Sequence, residues 1–283
     1  MEKSWTCHDS TASKTRISGG CGLPRERSGT SDGEISRYLG FSRSGIEGAD
    51  SLILAIAIGD IHGCLAAFKA LLEAIEPGPE DTIVTLGDCI DRGPHSRGVL
   101  DQLLTLSCRC RLVPLLGNHE EAALDALRDK DTLRKWLTLG GADTLRSYGW
   151  VSGGPRRALT DWIPEPHRGF LARCLPYYET RSHLFVHAGF VPELPLDEQP
   201  GLALRWRVTD PNSATPHHSG KVAVVGHTPQ HTGEVLNLGF LVCIDTNCAR
   251  GGWLTALDTD TGQIWQTNQA GRLRTGRLSQ PRA

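Results

Sequence analysis

The stretch Gly87-Asp88-Cys89-Ile90-Asp91-Arg92-Gly93-Pro94 sets two carboxylates and a guanidinium on one turn built with glycine and proline. A short apolar run, residues 82–86, leads into it and reads as a buried strand. Ile58-Gly59-Asp60-Ile61-His62-Gly63 and Leu116-Gly117-Asn118-His119-Glu120 have the same build, and His187 and His227 each follow a further apolar run. Asp60, His62, Asp88, Asn118, His187 and His227 are all metal-ligand side chains, each one to four residues past such a run. An aspartate after a strand commonly caps the next helix, and a single histidine is more often structural. Five such loops in one chain, each with a glycine that permits close backbone approach, point instead to one shared site.

The donor types say which site. Oxygen and imidazole together suit manganese, iron or zinc rather than calcium, and the lack of thiolates argues against structural zinc. Six ligands exceed what one ion with an open position needs, but two ions accommodate them if a carboxylate bridges. A pair of ions about 3.5–4 Å apart is a standard device for activating water against a phosphate ester. A hydroxide bridging the ions is then expected to attack phosphorus in line. Arg92 is placed to meet the anionic transition state, and His119 is the candidate acid for the leaving group, with Asp91 orienting it.

In an open α/β sheet such residues converge in the crevice beyond the carboxyl ends of the strands. From residue 51 the sequence alternates accordingly: strand 52–58, a helix with apolar face Leu65, Phe68, Leu71, Leu72 and Ile75, strand 82–86, a helix with Val99, Leu100, Leu103 and Leu104 inward, strand 111–116, and a helix from about 120 to 127. Pro77-Gly78-Pro79 ends the first helix, and His95 is read as opening the second. Residues 128–180 read as a helical cap or insertion, with Trp136 and Trp150 as packing residues. Strands are expected at 183–187, 221–225, 234–238, 240–245, 253–258 and 263–267. Residues 268–283, with four arginines and no acid, are expected to form a solvated basic tail. His217 and His218 are read as surface residues, and Glu120 either as support for the ligands or as a first-turn acid.

The five motifs Asp60-x-His62, Gly87-Asp88-x-x-Asp91-Arg92-Gly93, Gly117-Asn118-His119-Glu120, His187-Ala188-Gly189 and Gly226-His227-Thr228-Pro229 resemble, in order and spacing, those of the calcineurin-like metallophosphoesterases. More narrowly they resemble the phosphoprotein phosphatases, in their short bacterial and phage-like branch. The resemblance covers residues 53–267. It implies an α/β fold of four layers, two central β-sheets packed as a sandwich and flanked by helices. It makes Asp60 and His62 ligands of a first metal, Asp88 the bridge, and Asn118, His187 and His227 ligands of a second. His119 with Asp91 becomes the proton-donating pair, while Arg92, Asn118 and Arg207 bind phosphate, Arg207 being preferred over Arg205 in Leu204-Arg205-Trp206-Arg207.

Two divalent ions, manganese first and iron or zinc next, and a phosphorylated protein or peptide as partner follow from this resemblance. The implied activity is removal of phosphate from Ser/Thr, and also Tyr, side chains. The alternative is a symmetrical dinucleoside polyphosphate hydrolase, whose members often carry Asn where this chain has Asp91. A catalytically dead phosphoprotein-binding scaffold comes third. Cys89-Ile90 replaces the bulkier Tyr-Val of the branch, and Phe190 stands where a smaller residue is common. Residues 243–248 lack the toxin-binding pattern of eukaryotic members, so regulatory subunits of that kind are not expected.

Composition bounds the rest. With 283 residues, 39% hydrophobic and 22% charged, the chain can bury a core without a disulfide or metal staple. A net charge of −2 gives no reason to expect nucleic acid or an acidic membrane as partner. The nine cysteines show no C-x2-C pair and read as reduced thiols. The longest apolar run, residues 52–58, is far short of the ~20 residues of a membrane helix, and a cytoplasmic protein is expected. Residues 1–50 carry seven basic and seven acidic side chains without apolar periodicity and are expected to be disordered, Cys7 and His8 lacking partners for a metal site.

Overall fold

The computed structural model describes residues 55–154 and 157–281. The expectation of disorder for residues 1–50, and the start of the first strand, lie outside them. Three short strands, β1 (Ala55–Ile58), β2 (Thr82–Thr85) and β3 (Arg111–Pro114), alternate with helices α1 (Leu65–Ile75), α2 (Ser96–Leu106) and α3 (Asn118–Arg128). The strands run parallel, with Ile58 opposite Thr85 and Thr85 opposite Pro114. This register brings Gly59-Asp60, Gly87-Asp88 and Gly117-Asn118 out along the same edge of the sheet.

Helical pieces follow: α4 (Leu133–Trp136), a π-helical turn (Leu137–Gly141), α5 (Ala142–Ser147), α6 (Leu159–Trp162) and α7 (Glu165–Ala172). Strands β4 (Tyr177–Glu179) and β5 (His183–Val186), helix α8 (Gly201–Trp206), and strands β6 (Val222–Val225), β7 (Leu236–Asn237) and β8 (Leu241–Cys243) come next. The chain closes with β9 (Leu254–Asp258), β10 (Gln263–Thr267) and β11 (Leu273–Arg277). One sheet has the order β11-β10-β9-β1-β2-β3, the other β4-β5-β6-β8-β7, and both mix parallel and antiparallel pairs. In the second sheet Phe185 faces Val224 and Val225 faces Cys243, so His187, His227 and Asp245 leave their parallel strands at one end.

Three buried clusters define the layers. Ala55, Ala57, Val84, Leu86 and Val113 meet Phe185, Val224, Val242 and Ile244 between the two sheets. The alternate residues Ile56, Ile58 and Ile83 pack instead on Phe68, Leu71, Val99 and Leu103 of α1 and α2. Leu184, Val186, Ala223 and Val225 of the second sheet pack on Phe190, Leu196 and Leu204. Strands covered on both faces read as continuous apolar runs, and each buried Leu, Ile or Phe contributes about 1.5–3 kcal/mol. The expected sandwich of two sheets flanked by helices is present.

Several local expectations change. Helix α3 starts at Asn118, two residues ahead of the expected start, so Asn118 and His119 sit in its first turn. The strands expected at 234–238 and 240–245 shorten to Leu236–Asn237 and Leu241–Cys243. Within the expected basic tail, β11 pairs along its length with β10; its side chains remain largely exposed, which is why composition alone reads as solvated chain. His217 is buried rather than on the surface, its Nε2 2.9 Å from the Leu194 carbonyl oxygen and its Nδ1 2.8 Å from Ser219 Oγ, while His218 is exposed. Among the described residues no helix is long and apolar enough to cross a membrane.

Candidate metal centre and active site

Backbone conformation marks the site before any side chain is considered. Among the described residues seven non-glycine residues have positive φ, and five are His62 (45°), Asp88 (50°), Asp91 (72°), Arg92 (65°) and His227 (62°). Each such conformation costs on the order of 1–3 kcal/mol and persists only where its surroundings hold it. Here they do. The Asp88 carbonyl accepts the N–H groups of Ile61 (3.1 Å) and His62 (2.8 Å). The buried Glu120 carboxylate accepts those of Asp88 (2.8 Å), Cys89 (2.8 Å) and Gly117 (3.0 Å), fastening the β2 and β3 loops together. The question left open for Glu120 is thereby answered: it supports the ligand loops. A side chain at Gly87 (φ 97°) would meet the Gly117 nitrogen at 2.6 Å, so only glycine serves there.

Asp88 lies at the centre. Its Oδ2 is 3.4 Å from His62 Nε2 and 3.8 Å from His119 Nε2, and its Oδ1 is 3.4 Å from His187 Nε2. His62–Asp88–His119 and Asp88–His187–His227 each gather their donor atoms within 4.8 Å, with Asp88 common to both. The rings are aimed from outside: His62 Nδ1 donates to the Ile90 carbonyl (2.9 Å) and His187 Nδ1 to that of Leu86 (2.8 Å), which turns both Nε2 lone pairs inward. Asn118 Oδ1 then stands 3.0 Å from His187 Nε2 and 3.0 Å from His227 Nδ1, themselves 3.2 Å apart. Protons on these atoms cannot satisfy all three contacts at once, whereas one cation among them would.

The charges agree with that reading. Burial holds His62 down to about 3 and His227 down to about 4, and lowers His187 as well, so these imidazoles are neutral and free to bind metal. Burial alone would raise the Asp88 carboxyl, but His187, His119 and His62 draw it well below the ordinary range. Asp60 is buried and accepts the His227 N–H (3.1 Å); burial, then Asp245 and Asp88, push its carboxyl up. Burial likewise raises Asp245 to about 6 and Glu120 to about 7. Neutral imidazoles around an ionised Asp88, with further carboxyls that burial and mutual repulsion raise, together fit divalent metal.

Residues 54–254 match the sequence model of the calcineurin-like phosphoesterases. The chain belongs to this family. Among curated relatives, a symmetrical bis(5'-nucleosyl)-tetraphosphatase of Pseudomonas putida (strain GB-1) is 33% identical over 148 residues, 52% of this chain and 46% of the relative. One from Acidovorax ebreus (strain TPSY) is 34% identical over 150 residues, 50% of this chain and 46% of the relative. The chain thus spans about half the length of the curated relatives it matches. Among solved structures, a cold-active protein-tyrosine phosphatase of a psychrophilic Shewanella species superimposes with a TM-score of 0.55 at 19% identity, over 80% of each chain. A candidate diadenosine tetraphosphatase gives 0.53 at 22% identity, over 79% of this chain and 93% of the other. At those identities they show the shared fold.

The remaining residues of the site sort by contact. His119 is fully buried; its Nδ1 is 2.8 Å from Asp91 Oδ2 and its Nε2 has no hydrogen-bond partner. Burial would lower its pKa, yet Asp88 and Asp91 raise it, so His119 keeps a proton where His62 does not. That difference sets His119 apart from His62 within one trio. Arg92 is exposed, with Nη1 2.7 Å from His62 Nε2, so its guanidinium reaches one of the candidate ligand atoms. Arg205 is committed to Glu121 (2.6 Å), which also takes the Trp206 Nε1 proton (2.8 Å). Arg207 is exposed and packs on Gly189, but its Nη1 donates to the Phe190 carbonyl (2.7 Å) rather than to any of the six expected ligands. The six expected ligands come together with His119 and Arg92, while Asp60 stands beside the two trios rather than inside either. Asp245 was missed, although it shares the signal of the others: a carboxylate two residues past the end of β8.

Proposed function

We propose that the chain hydrolyses phosphorus–oxygen bonds using two divalent ions, held by Asp60, His62, Asp88, Asn118, His187 and His227 with Asp88 shared. When bound, such ions supply an activated water and neutralise phosphate charge; manganese is the first to test, iron and zinc the next. The protein's own groups do the rest. Arg92 grips a phosphate oxygen, with Arg207 as a second candidate arm. The Asn118 amide nitrogen is free to donate to phosphate because its oxygen faces His187 and His227. His119 delivers the proton carried on Nε2 to the departing oxygen while Asp91 holds Nδ1.

For the substrate, the observation that carries most weight is the 33–34% identity to symmetrical dinucleoside tetraphosphatases over about half of each chain. Symmetrical cleavage of a dinucleoside tetraphosphate to two nucleoside diphosphates is therefore our first reading. A second, phosphorylated Ser/Thr and also Tyr side chains of proteins, is favoured by the Asp91–His119 pair. An alkoxide needs a proton to leave, whereas a nucleoside diphosphate departs readily as an anion. One assay separates them: manganese-loaded protein with diadenosine tetraphosphate, ADP followed by chromatography, beside phosphoserine, phosphothreonine and phosphotyrosine peptides with phosphate release. ADP alone supports the first reading, and phosphate from peptides alone replaces it with the second. Turnover of neither substrate class defeats both.

A further inference from the structure

Residues 128–180, from the end of α3 through β4, read from sequence as a helical cap or insertion over the site, with Trp136 as packing. Its contacts show something more specific. Trp136, fully buried at the end of α4, donates Nε1–H to Asp91 Oδ2 (2.9 Å), the oxygen that also takes His119 Nδ1–H (2.8 Å). Thr144 of α5, also buried, donates Oγ1–H to Asp91 Oδ1 (2.6 Å) and accepts the Asp91 N–H (2.9 Å), with Ser96 Oγ sharing that N–H at 3.1 Å. Both carboxylate oxygens are therefore engaged by residues 45 and 53 positions away in the chain.

The turn between them is shaped for this. Residues Leu137–Gly141 form a π-helical turn broken at Gly140 (φ 122°), where a Cβ would meet the Arg92 nitrogen at 2.8 Å and Asp91 Cβ at 3.3 Å. Gly141 leaves room for the Trp136 ring, which any side chain there would strike at 2.5 Å. Irregular turns of this kind recur at functional sites because they re-aim neighbouring side chains. Here the turn sits against the left-handed backbone of Asp91 and Arg92.

We propose that Trp136 and Thr144 are positioning residues for the reaction. By fixing both oxygens of Asp91 they lock the tautomer and orientation of the His119 ring, so that Nε2 presents its proton to the leaving group. The insertion then acts as a brace for the acid rather than as a cap for substrate. This rests on the hydrolase reading, since a proton donor matters only if a bond to a leaving oxygen breaks.

The test uses Trp136→Phe, which keeps an aromatic ring and removes the N–H, and Thr144→Val with Thr144→Ser as the conservative control. Manganese-loaded proteins are assayed on p-nitrophenyl phosphate, whose leaving group departs unprotonated, and on phenyl phosphate, whose leaving group is more basic. Removing outer-shell partners costs about 10–100-fold, so kcat on phenyl phosphate should fall roughly 10-fold or more in Trp136→Phe and Thr144→Val. The fall on p-nitrophenyl phosphate should be several times smaller, KM should hold for both, and Thr144→Ser should recover most of the rate. Equal kcat losses on both esters, or losses confined to KM, would overturn the proposal.

A spectroscopic reading stands apart from turnover. In the metal-free protein the His119 Nδ1 proton should give a low-field, exchange-protected resonance, lost in Trp136→Phe and in Thr144→Val and kept in Thr144→Ser. Its survival in both damaging variants refutes the brace. If the wild type hydrolyses neither these esters nor diadenosine tetraphosphate, the hydrolase reading falls, and this resonance still decides whether the insertion holds His119. If Trp136→Phe fails to fold, the Thr144 pair carries both measurements.

Discussion

His62 and His119 are neighbours, their ring centroids 4.7 Å apart and edge to face, and each has Nε2 within reach of Asp88 Oδ2. Their protons behave oppositely. His62 spends its Nδ1–H on the neutral carbonyl of Ile90, and burial holds it unprotonated down to about 3. His119 meets Asp91, a carboxylate whose oxygens are already engaged by Trp136 and Thr144, and it keeps its proton above the ordinary range. In the proposed reaction one side of the cluster receives cations and the other gives up a proton. The residue type is the same and Asp88 faces both rings; what differs is the partner of Nδ1, a neutral carbonyl for one and a carboxylate for the other.

The largest effect should come from removing what both sides share. Asp88→Asn withdraws the carboxylate common to both trios. Since outer-shell losses alone reach about 100-fold, the activity loss should exceed that, with metal content falling in parallel by elemental analysis. Full metal content with full activity would dissolve the comparison at its centre.

Next come the changes that strike one side only. His119→Asn should lower the rate on poor leaving groups by about 10²–10⁴-fold, with a much smaller fall on p-nitrophenyl phosphate and little change in metal content. Asp91→Asn should do the same more weakly, about 10–100-fold. Asp91 is one of the charges that raise His119, so its removal lowers that pKa. An activity that needs the proton is full below the pKa and lost as pH rises through it, so the alkaline limb should move to lower pH. A limb that stays in place would show that Asp91 does not govern His119.

The ligand side has its own pH signature. His62 and His227 are lowered from 6.5 and stay neutral until pH falls to about 3 and about 4. In an NMR pH titration of the metal-free protein both rings should therefore stay neutral well below 6.5, protonating only near 3 and 4. A midpoint at 6.5 would mean that the ligand imidazoles titrate freely.

The smallest expected change concerns Asp245. Its carboxyl is raised from 3.8 to about 6, first by burial. A raised group favours the fold below its unfolded pKa, and that contribution is lost as pH rises through the folded value. At pH 8, without metal, the buried charge is a burden on the order of 1–3 kcal/mol. Asp245→Asn should accordingly raise the thermal midpoint of the chelated protein at pH 8 and lower its gain on adding manganese. An unchanged midpoint would place Asp245 outside the electrostatic cluster.

The candidate ligands were legible because strand ends and glycines are local features. Gly59-Asp60, Gly87-Asp88 and Gly117-Asn118 each declare themselves within a few residues, and parallel register then delivers them to one edge. Asp245 carried the same local signal and passed unnoticed, because a single carboxylate after a short strand is ordinary. The reach of Trp136 and Thr144 to Asp91 has no local signature at all, since their helices read as simple packing elements. His217 was misjudged because a polar loop hides the Leu194 carbonyl that receives it. The pairing of β11 was missed because an edge strand with exposed arginines has the composition of a free tail.

Sequence by itself determined the family, the layered α/β architecture and the list of candidate metal ligands, since these depend on residue type, order and spacing. Tertiary structure decided how those side chains divide their work. Which imidazole favours a proton, which carboxylate is common to both trios, and which distant helices reach Asp91 depend on burial and on partners dozens of residues away. Those are set only when the chain has closed around them.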